Sequence, residues 1–201
     1  MTLQGYWSDL KAPDFKALPD DLVVVLPVGA TEQHGPHLPI SVDATLVDEV
    51  AKRALSELEK TQSVLVLPTL AVSKSGEHDN HPGTLSLSAE TLIAVFRDIG
   101  ASLSRAGVKR LMILNGHGGN TAVLEIITRD LRMAHGMVVA QGTWFGFAQY
   151  DGVIDDDELR HDIHAGDSET SPMLAIAPER VEMEKAENFG SALQDWEKSY
   201  P

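Results

Sequence analysis

The sequence contains no cysteine. That excludes a disulfide framework and a thiolate metal site, so any metal must be held by His, Asp and Glu. Positive charge is also scarce: 16 Lys and Arg stand against 30 Asp and Glu, a formal net charge of −14. A chain so acidic repels phosphate backbones and anionic lipid surfaces, and neither nucleic acid nor a membrane is expected as a partner. Long apolar runs are missing too. Residues 1–19 carry Asp9 and Asp14 instead of a basic segment followed by an apolar one, which predicts neither a signal peptide nor a membrane span and makes the cytoplasm the expected compartment. What remains is 201 residues, 43% of them apolar, enough for one buried core and too few for two ordinary domains of comparable size. Residues 1–201 are read as a single domain.

The apolar residues are grouped in a repeating order. Leu22 to Ala30 (LVVVLPVGA) is a short β-branched run of the kind found in strands buried on both faces. Between Ala44 and Lys60 apolar residues recur at helical spacing, with charges on the other side. The alternation continues with a strand at Val64 to Leu67, a helix at Ser88 to Arg105 stopped at Gly107, and a strand at Leu111 to Asn115. A helix at Thr121 to His135 closed by Gly136 and a strand at Met137 to Thr143 follow. Successive strand, helix and strand units of this length predict an α/β fold, a mostly parallel sheet in three layers with helices on both faces. The acidic stretch Asp151 to Leu159 is read as an exposed loop, and a last helix is expected over Ser171 to Ala177 with Pro172 in its first turn.

In open α/β sheets ligands bind beyond the carboxyl ends of the strands, and there the residues are unusual. The first strand runs into Thr31-Glu32-Gln33-His34-Gly35-Pro36-His37 and the third into Asn115-Gly116-His117-Gly118-Gly119-Asn120. Both deliver a histidine to one edge. Glu32 and His34 are two apart, so in an extended segment they point to one side. Asp43 follows at the start of the first helix, where it is either a carboxylate able to bridge two ions or a helix cap. NGHGGN is either a tight path that aims His117 into a site or an anion cradle, although it lacks the lysine and glycine spacing of a phosphate loop. His164-Ala165-Gly166-Asp167-Ser168-Glu169-Thr170-Ser171 gathers a histidine, two carboxylates and three hydroxyls; capping by Thr170 or Ser171 accounts for part of it but leaves His164 unexplained. Ser75-Gly76-Glu77-His78-Asp79-Asn80-His81-Pro82-Gly83-Thr84 follows the second strand, where His78 and His81 are either solvated or site-lining. His135 and His161 are read as dipole-facing and solvent-facing residues. Trp144, after the fourth strand, is a candidate pocket wall.

At TEQHGPHLP, Asp43, HPGTLSL, NGHGGN and HAGDSETS the chain resembles the creatininase family of metal-dependent amidohydrolases, over about residues 22–185. The resemblance implies a creatininase-like fold, two divalent ions per subunit (Zn²⁺ or Mn²⁺, with Fe²⁺ compatible), a small-molecule substrate and a homo-oligomer, hexameric in many relatives. By motif position Glu32 and His117 would bind one metal, His34 the other, and Asp43 would bridge them. Creatininase itself has a glutamate two residues after the histidine of the glycine-rich loop. Here that position is Gly119, so Glu169 is placed as the substitute ligand and creatinine is not the expected substrate. His164 matches the family's histidine near the substrate and is assigned proton transfer; His78 and Trp144 are assigned to the substrate pocket. Relatives usually continue for several tens of residues past the position of Pro201, which implies a carboxyl-terminal extension absent from this sequence.

The expected function is hydrolysis of a C–N amide bond in a cyclic amide, lactam or formamide by a metal-activated water. Two other readings share or discard the metals. One uses the same site on a peptide terminus or on a carbon–carbon bond of a cyclic polyol ketone. The other is a non-catalytic α/β module in which NGHGGN holds an anion and the histidines are structural.

Overall fold

Five strands, β1 Gln4–Tyr6, β2 Val23–Val28, β3 Val64–Val66, β4 Arg110–Asn115 and β5 Val138–Thr143, pair in parallel in the order β1-β3-β2-β4-β5. Six α-helices accompany them among the described residues: α1 Val42–Glu57, α2 Ala89–Arg105, α3 Thr121–His135, α4 Asp156–His161, α5 Asp167–Ile176 and α6 Ala192–Ser199. This computed structural model describes residues 2–190 and 192–200; residues 1, 191 and 201 lie outside the described set.

Strand alternation divides the core between two faces. Val24 and Leu26 of β2, Leu65 of β3, and Leu111 and Ile113 of β4 turn to one side, against Leu92, Phe96 and Leu103 of α2 and Val123, Leu124 and Ile127 of α3. Val25, Val66 and Leu114 turn the other way and meet Val47 and Ala51 of α1. Burying a side chain of this kind contributes about 1.5–3 kcal/mol, which is why the sheet needs cover on both faces. Helix α5 lies beside α1, where Met173 joins Val42 and Leu46 in a smaller cluster. The result is the three-layer α/β fold expected from the alternation. No helix among the described residues is long and apolar enough to cross a membrane.

The connections define where a ligand can sit. From β2 the chain passes through α1 to β3 on one side; from β4 it passes through α3 to β5 on the other. The crevice beyond the carboxyl ends of the adjacent strands β2 and β4 is therefore the topological switch point of the sheet. Two glycines let α1 close over it. A Cβ on Gly29 would stand 2.5 Å from the backbone of Ala44, and one on Gly116 would stand 2.9 Å from Val47 Cβ and 3.0 Å from the Asp43 carbonyl oxygen. Only glycine permits this approach. It brings the first turn of α1, and Asp43 with it, to the end of both central strands.

Several expectations are corrected. Strand β1 has no sequence signature: Gln-Gly-Tyr is three residues long, and it is held by pairing with Val64–Val66. Asp156–His161 is helical where the acidic run predicts a loop, because Arg160 and His161 reach Glu197 of α6, at 2.8 and 3.2 Å. His161 is thus paired and not simply solvent-facing. Helix α6 lies beyond the last helix expected from the sequence. Helix α5 starts at Asp167, ahead of the expected Ser171, so Pro172 lies inside it and not in its first turn. The reason is a side-chain cap from outside the helix: Ser168 N–H donates to Asp162 Oδ2 at 2.7 Å, doing the work assigned to Thr170 or Ser171. Helix α1 starts at Val42, with Ser41 at its N-cap, which puts Asp43 one residue inside the helix and frees its carboxylate from capping.

Candidate metal centre

Three segments meet at the switch point. The loop after β2 contributes Glu32 and His34, the loop after β4 contributes His117, and the first turn of α1 contributes Asp43; all four are buried. Glu169, from the first turn of α5, and His164, from the loop before it, close the opposite side.

Five of these side chains, His34, His117, His164, Glu32 and Glu169, are aimed by hydrogen bonds to their outer atoms. His34 Nδ1 lies 3.1 Å from the Glu32 carbonyl oxygen, which can only accept, so Nδ1 carries the hydrogen and Nε2 faces the site. His117 Nε2 donates to the Lys74 carbonyl at 3.0 Å and turns Nδ1 inward. His164 Nε2 donates to the Gln33 carbonyl at 2.5 Å, leaving its Nδ1 lone pair 3.6 Å from Glu32 Oε1. Ser75, buried in the loop after β3, donates to Glu32 Oε2 at 2.5 Å. Ala165 N–H donates to Glu169 Oε2 at 2.6 Å, with Ala165 in the left-handed region at φ 58°. Asn115 builds the glycine-rich turn: its amide donates to the His117 carbonyl and its oxygen accepts from His117 N–H and Asn120 Nδ2.

The inward atoms form two sets that share Asp43. Asp43 Oδ1 is 3.2 Å from His34 Nε2, which is 3.6 Å from Glu169 Oε2. Asp43 Oδ2 is 3.1 Å from His117 Nδ1, which is 3.2 Å from Glu32 Oε1. Within each triad, Glu32, Asp43 and His117 or His34, Asp43 and Glu169, the donor atoms all lie within 4.8 Å of one another. A third grouping, Glu32, His34 and His164, meets the same limit.

The donor set fits divalent cations. Glu32 Oε1 and Asp43 Oδ2 are buried without a hydrogen-bond partner, even though His117 Nδ1 is within ion-pair distance of both. A buried carboxylate oxygen left so is costly unless a cation meets it. Imidazole with carboxylate suits Zn²⁺ or Mn²⁺, and a carboxylate presenting one oxygen to each triad suits a bridging ligand. Without an ion, protons take that place. Burial opposes charging His34, but the carboxylates of Asp43 and Glu169 outweigh it and raise its pKa to about 10. Burial likewise opposes, and Asp43 with Glu32 raises, His117 to about 10. Burial works against ionised Asp43 as well, yet His117 and His34 hold its carboxyl below the usual range. His164 moves the other way: burial and then the neighbouring His34 lower its pKa, keeping it neutral with a free lone pair.

The remaining expectations divide. His78 is at the site: its ring stacks on His164 at 4.2 Å between centroids, its Nε2 lies 3.6 Å from Glu32 Oε1, and Gln33 Nε2 donates to its Nδ1 at 3.2 Å. His81 is exposed and stands 6.3 Å from the His78 ring. Trp144 packs on the clusters around Leu46 and Val47, and the apolar wall of the cleft comes from its neighbour Phe145 and from Ile163, a correction to its assignment as pocket wall. The cleft measures about 290 Å³. At His164 it adjoins a larger cavity of about 760 Å³, lined in part by Gln33, Ile154, Met183 and Phe189. Sequence reasoning passed over Ser75, Gln33 and Asn115. Gln33 and Asn115 sit in segments that carry a signal, TEQHGPHLP and NGHGGN.

Comparison with known proteins points to one family. The creatininase family, described as creatinine amidohydrolase, matches residues 8–200. A mycofactocin precursor peptide peptidase of Mycobacterium ulcerans is 39% identical over 163 residues, 79% of this chain and 60% of that protein. The chain thus spans less than two thirds of the length of that relative. A creatinine amidohydrolase of Pseudomonas putida is 34% identical over 195 residues, 89% of this chain and 72% of that protein. A solved structure described as "Creatininase Mn" superposes with a TM-score of 0.78 at 30% identity, covering 94% of this chain and 79% of its own. With a family match over nearly its whole length and with its switch-point residues in these positions, the chain belongs to the creatininase family.

Proposed function

We propose that this chain is a metal-dependent hydrolase that cleaves a C–N amide bond, holding two divalent ions with Glu32, Asp43 and His117 on one side and His34, Asp43 and Glu169 on the other. The observation that carries the reading is the pair of buried, unpartnered carboxylate oxygens, Glu32 Oε1 and Asp43 Oδ2, that face the inward Nδ1 of His117 at the switch point, with His34 Nε2 on the other oxygen of Asp43. When bound, divalent ions supply Lewis acidity toward an amide carbonyl and lower the pKa of water to near neutrality. His164 is the proton carrier: Gln33 fixes its Nε2–H, and its neutral Nδ1 accepts a proton inside the cleft and returns it to the departing nitrogen. His78, stacked on His164, limits the cleft on that side, and Phe145 and Ile163 give it an apolar wall on the other.

The cleft suits a small ring or a formamide. The adjoining cavity favours a second reading in which the scissile amide ends a peptide, and the similarity to a precursor-peptide peptidase points the same way. The anion-binding alternative finds less support, since His117 N–H is already donated to Asn115 and Asn120 N–H to the His117 carbonyl. With this reading we carry a cytoplasmic homo-oligomer, hexameric as the resemblance implies.

The test is hydrolysis of lactams, formamides and short peptides by Zn²⁺- or Mn²⁺-loaded protein, with release of amine measured before and after chelation. Release that stops on chelation and returns with metal is expected. A metal-loaded, folded protein inert toward every class would refute the reading.

A further inference from the structure

The outer side of His117 holds an arrangement that the ligand set does not explain. A Cβ on Gly119 would fall 1.8 Å from Glu77 Oε1 and 2.4 Å from His117 Nε2. The room that glycine leaves is filled by the Glu77 carboxylate, which comes from a different segment, the loop after β3. Its Oε1 lies 3.2 Å from His117 Nε2, while Oε2 accepts from Lys74 Nζ at 2.9 Å. Lys74 also supplies the carbonyl that accepts the His117 Nε2–H. One short segment therefore holds both groups facing the outer nitrogen, and Gly119 is the residue that lets them reach it.

We infer that Glu77 is the positioning carboxylate for His117, and that Gly119 is required because any side chain there would expel it. The inference rests on His117 being a metal ligand. A carboxylate beside the outer nitrogen of a ligating imidazole fixes its tautomer and raises its basicity. Glu77 suits this role: Lys74 Nζ donates to its Oε2 at 2.9 Å, which leaves Oε1 facing His117. It is partly exposed and belongs to no buried apolar cluster, so its contribution is to the orientation and basicity of His117 and not to the core.

The test is a double-mutant cycle with Glu77→Gln, Gly119→Ala and the pair, reading Zn²⁺ affinity by chelator competition and the thermal midpoint of the metal-free protein. Each single change is expected to weaken metal binding about 10- to 100-fold. Glu77→Gln should leave the metal-free midpoint in place, which separates positioning from structural support. The double variant should be no weaker than Gly119→Ala alone, since a methyl group there already expels the Glu77 carboxylate while also crowding His117 Nε2. Affinities within about twofold of the unaltered protein, or losses that add, would overturn the inference while leaving the metal centre standing. Failure of the unaltered protein to bind Zn²⁺ would overturn the centre and the inference together.

Discussion

Raising the pH of the metal-free protein tests the electrostatics of the centre. His34 and His117 have pKa values raised to about 10, so near neutrality both are imidazolium ions paired with Asp43, Glu32 and Glu169. A divalent ion needs the neutral imidazole and must displace that proton. If each triad takes one ion and loses one proton, the affinity of each rises about tenfold per pH unit, or about 100-fold between about pH 6.5 and 8.5. Unperturbed histidines, with pKa near 6.5, would give little change over that range. The sign for stability is opposite. Groups with a raised folded-state pKa contribute stability that is complete below about 6.5 and is lost as pH climbs through about 10. The metal-free protein should therefore lose thermal stability toward pH 10 while the loaded protein does not. Calorimetric titration with Zn²⁺ in buffers of different ionisation enthalpy gives the affinity and the protons released per ion. A flat affinity between pH 6.5 and 8.5, with no proton release, would refute the reasoning.

Other outcomes follow from particular contacts. Asp43→Ala should remove both equivalents of metal, since its two oxygens face separate triads, whereas Glu169→Ala should remove one; elemental analysis distinguishes them. Gly29→Ala forces a methyl group into the Ala44 backbone and should destabilise by about 1–3 kcal/mol, read by denaturant unfolding, with metal binding weakened because α1 carries Asp43. His164→Asn should lower kcat by about 10²- to 10⁴-fold with metal content unchanged, measured on whichever amide the loaded protein cleaves.

The sheet was legible in the sequence because β2 and β4 are buried on both faces and so read as continuous apolar runs, and because α2 and α3 carry a strong helical period. The convergence of Glu32, His34 and His117 was legible because a histidine or glutamate directly after a buried strand has few structural uses. Other parts were not, for physical reasons. Strand β1 owes its existence to a partner 60 residues away in sequence, Gln4 pairing with Val64. Helix α4 is held through contacts of Arg160 and His161 with Glu197 of α6, which no local pattern records. The cap of α5 comes from Asp162, outside the segment where a cap is sought. Trp144 carried the general expectation that a large aromatic after a strand lines a pocket, but α1 offers it apolar surface and Phe145 takes the wall. Ser75 and Glu77 lie in a loop whose path to Glu32 and His117 depends on the tertiary fold.

The most direct measurement is the metal content of the purified protein after dialysis against metal-free buffer, with His117→Ala measured beside it. About two equivalents of Zn or Mn per chain, with loss in the variant, is the predicted result, because His117 completes the triad with Glu32 and Asp43. A folded protein that retains no divalent metal, even after reconstitution, would contradict the account of the centre and with it the hydrolase mechanism.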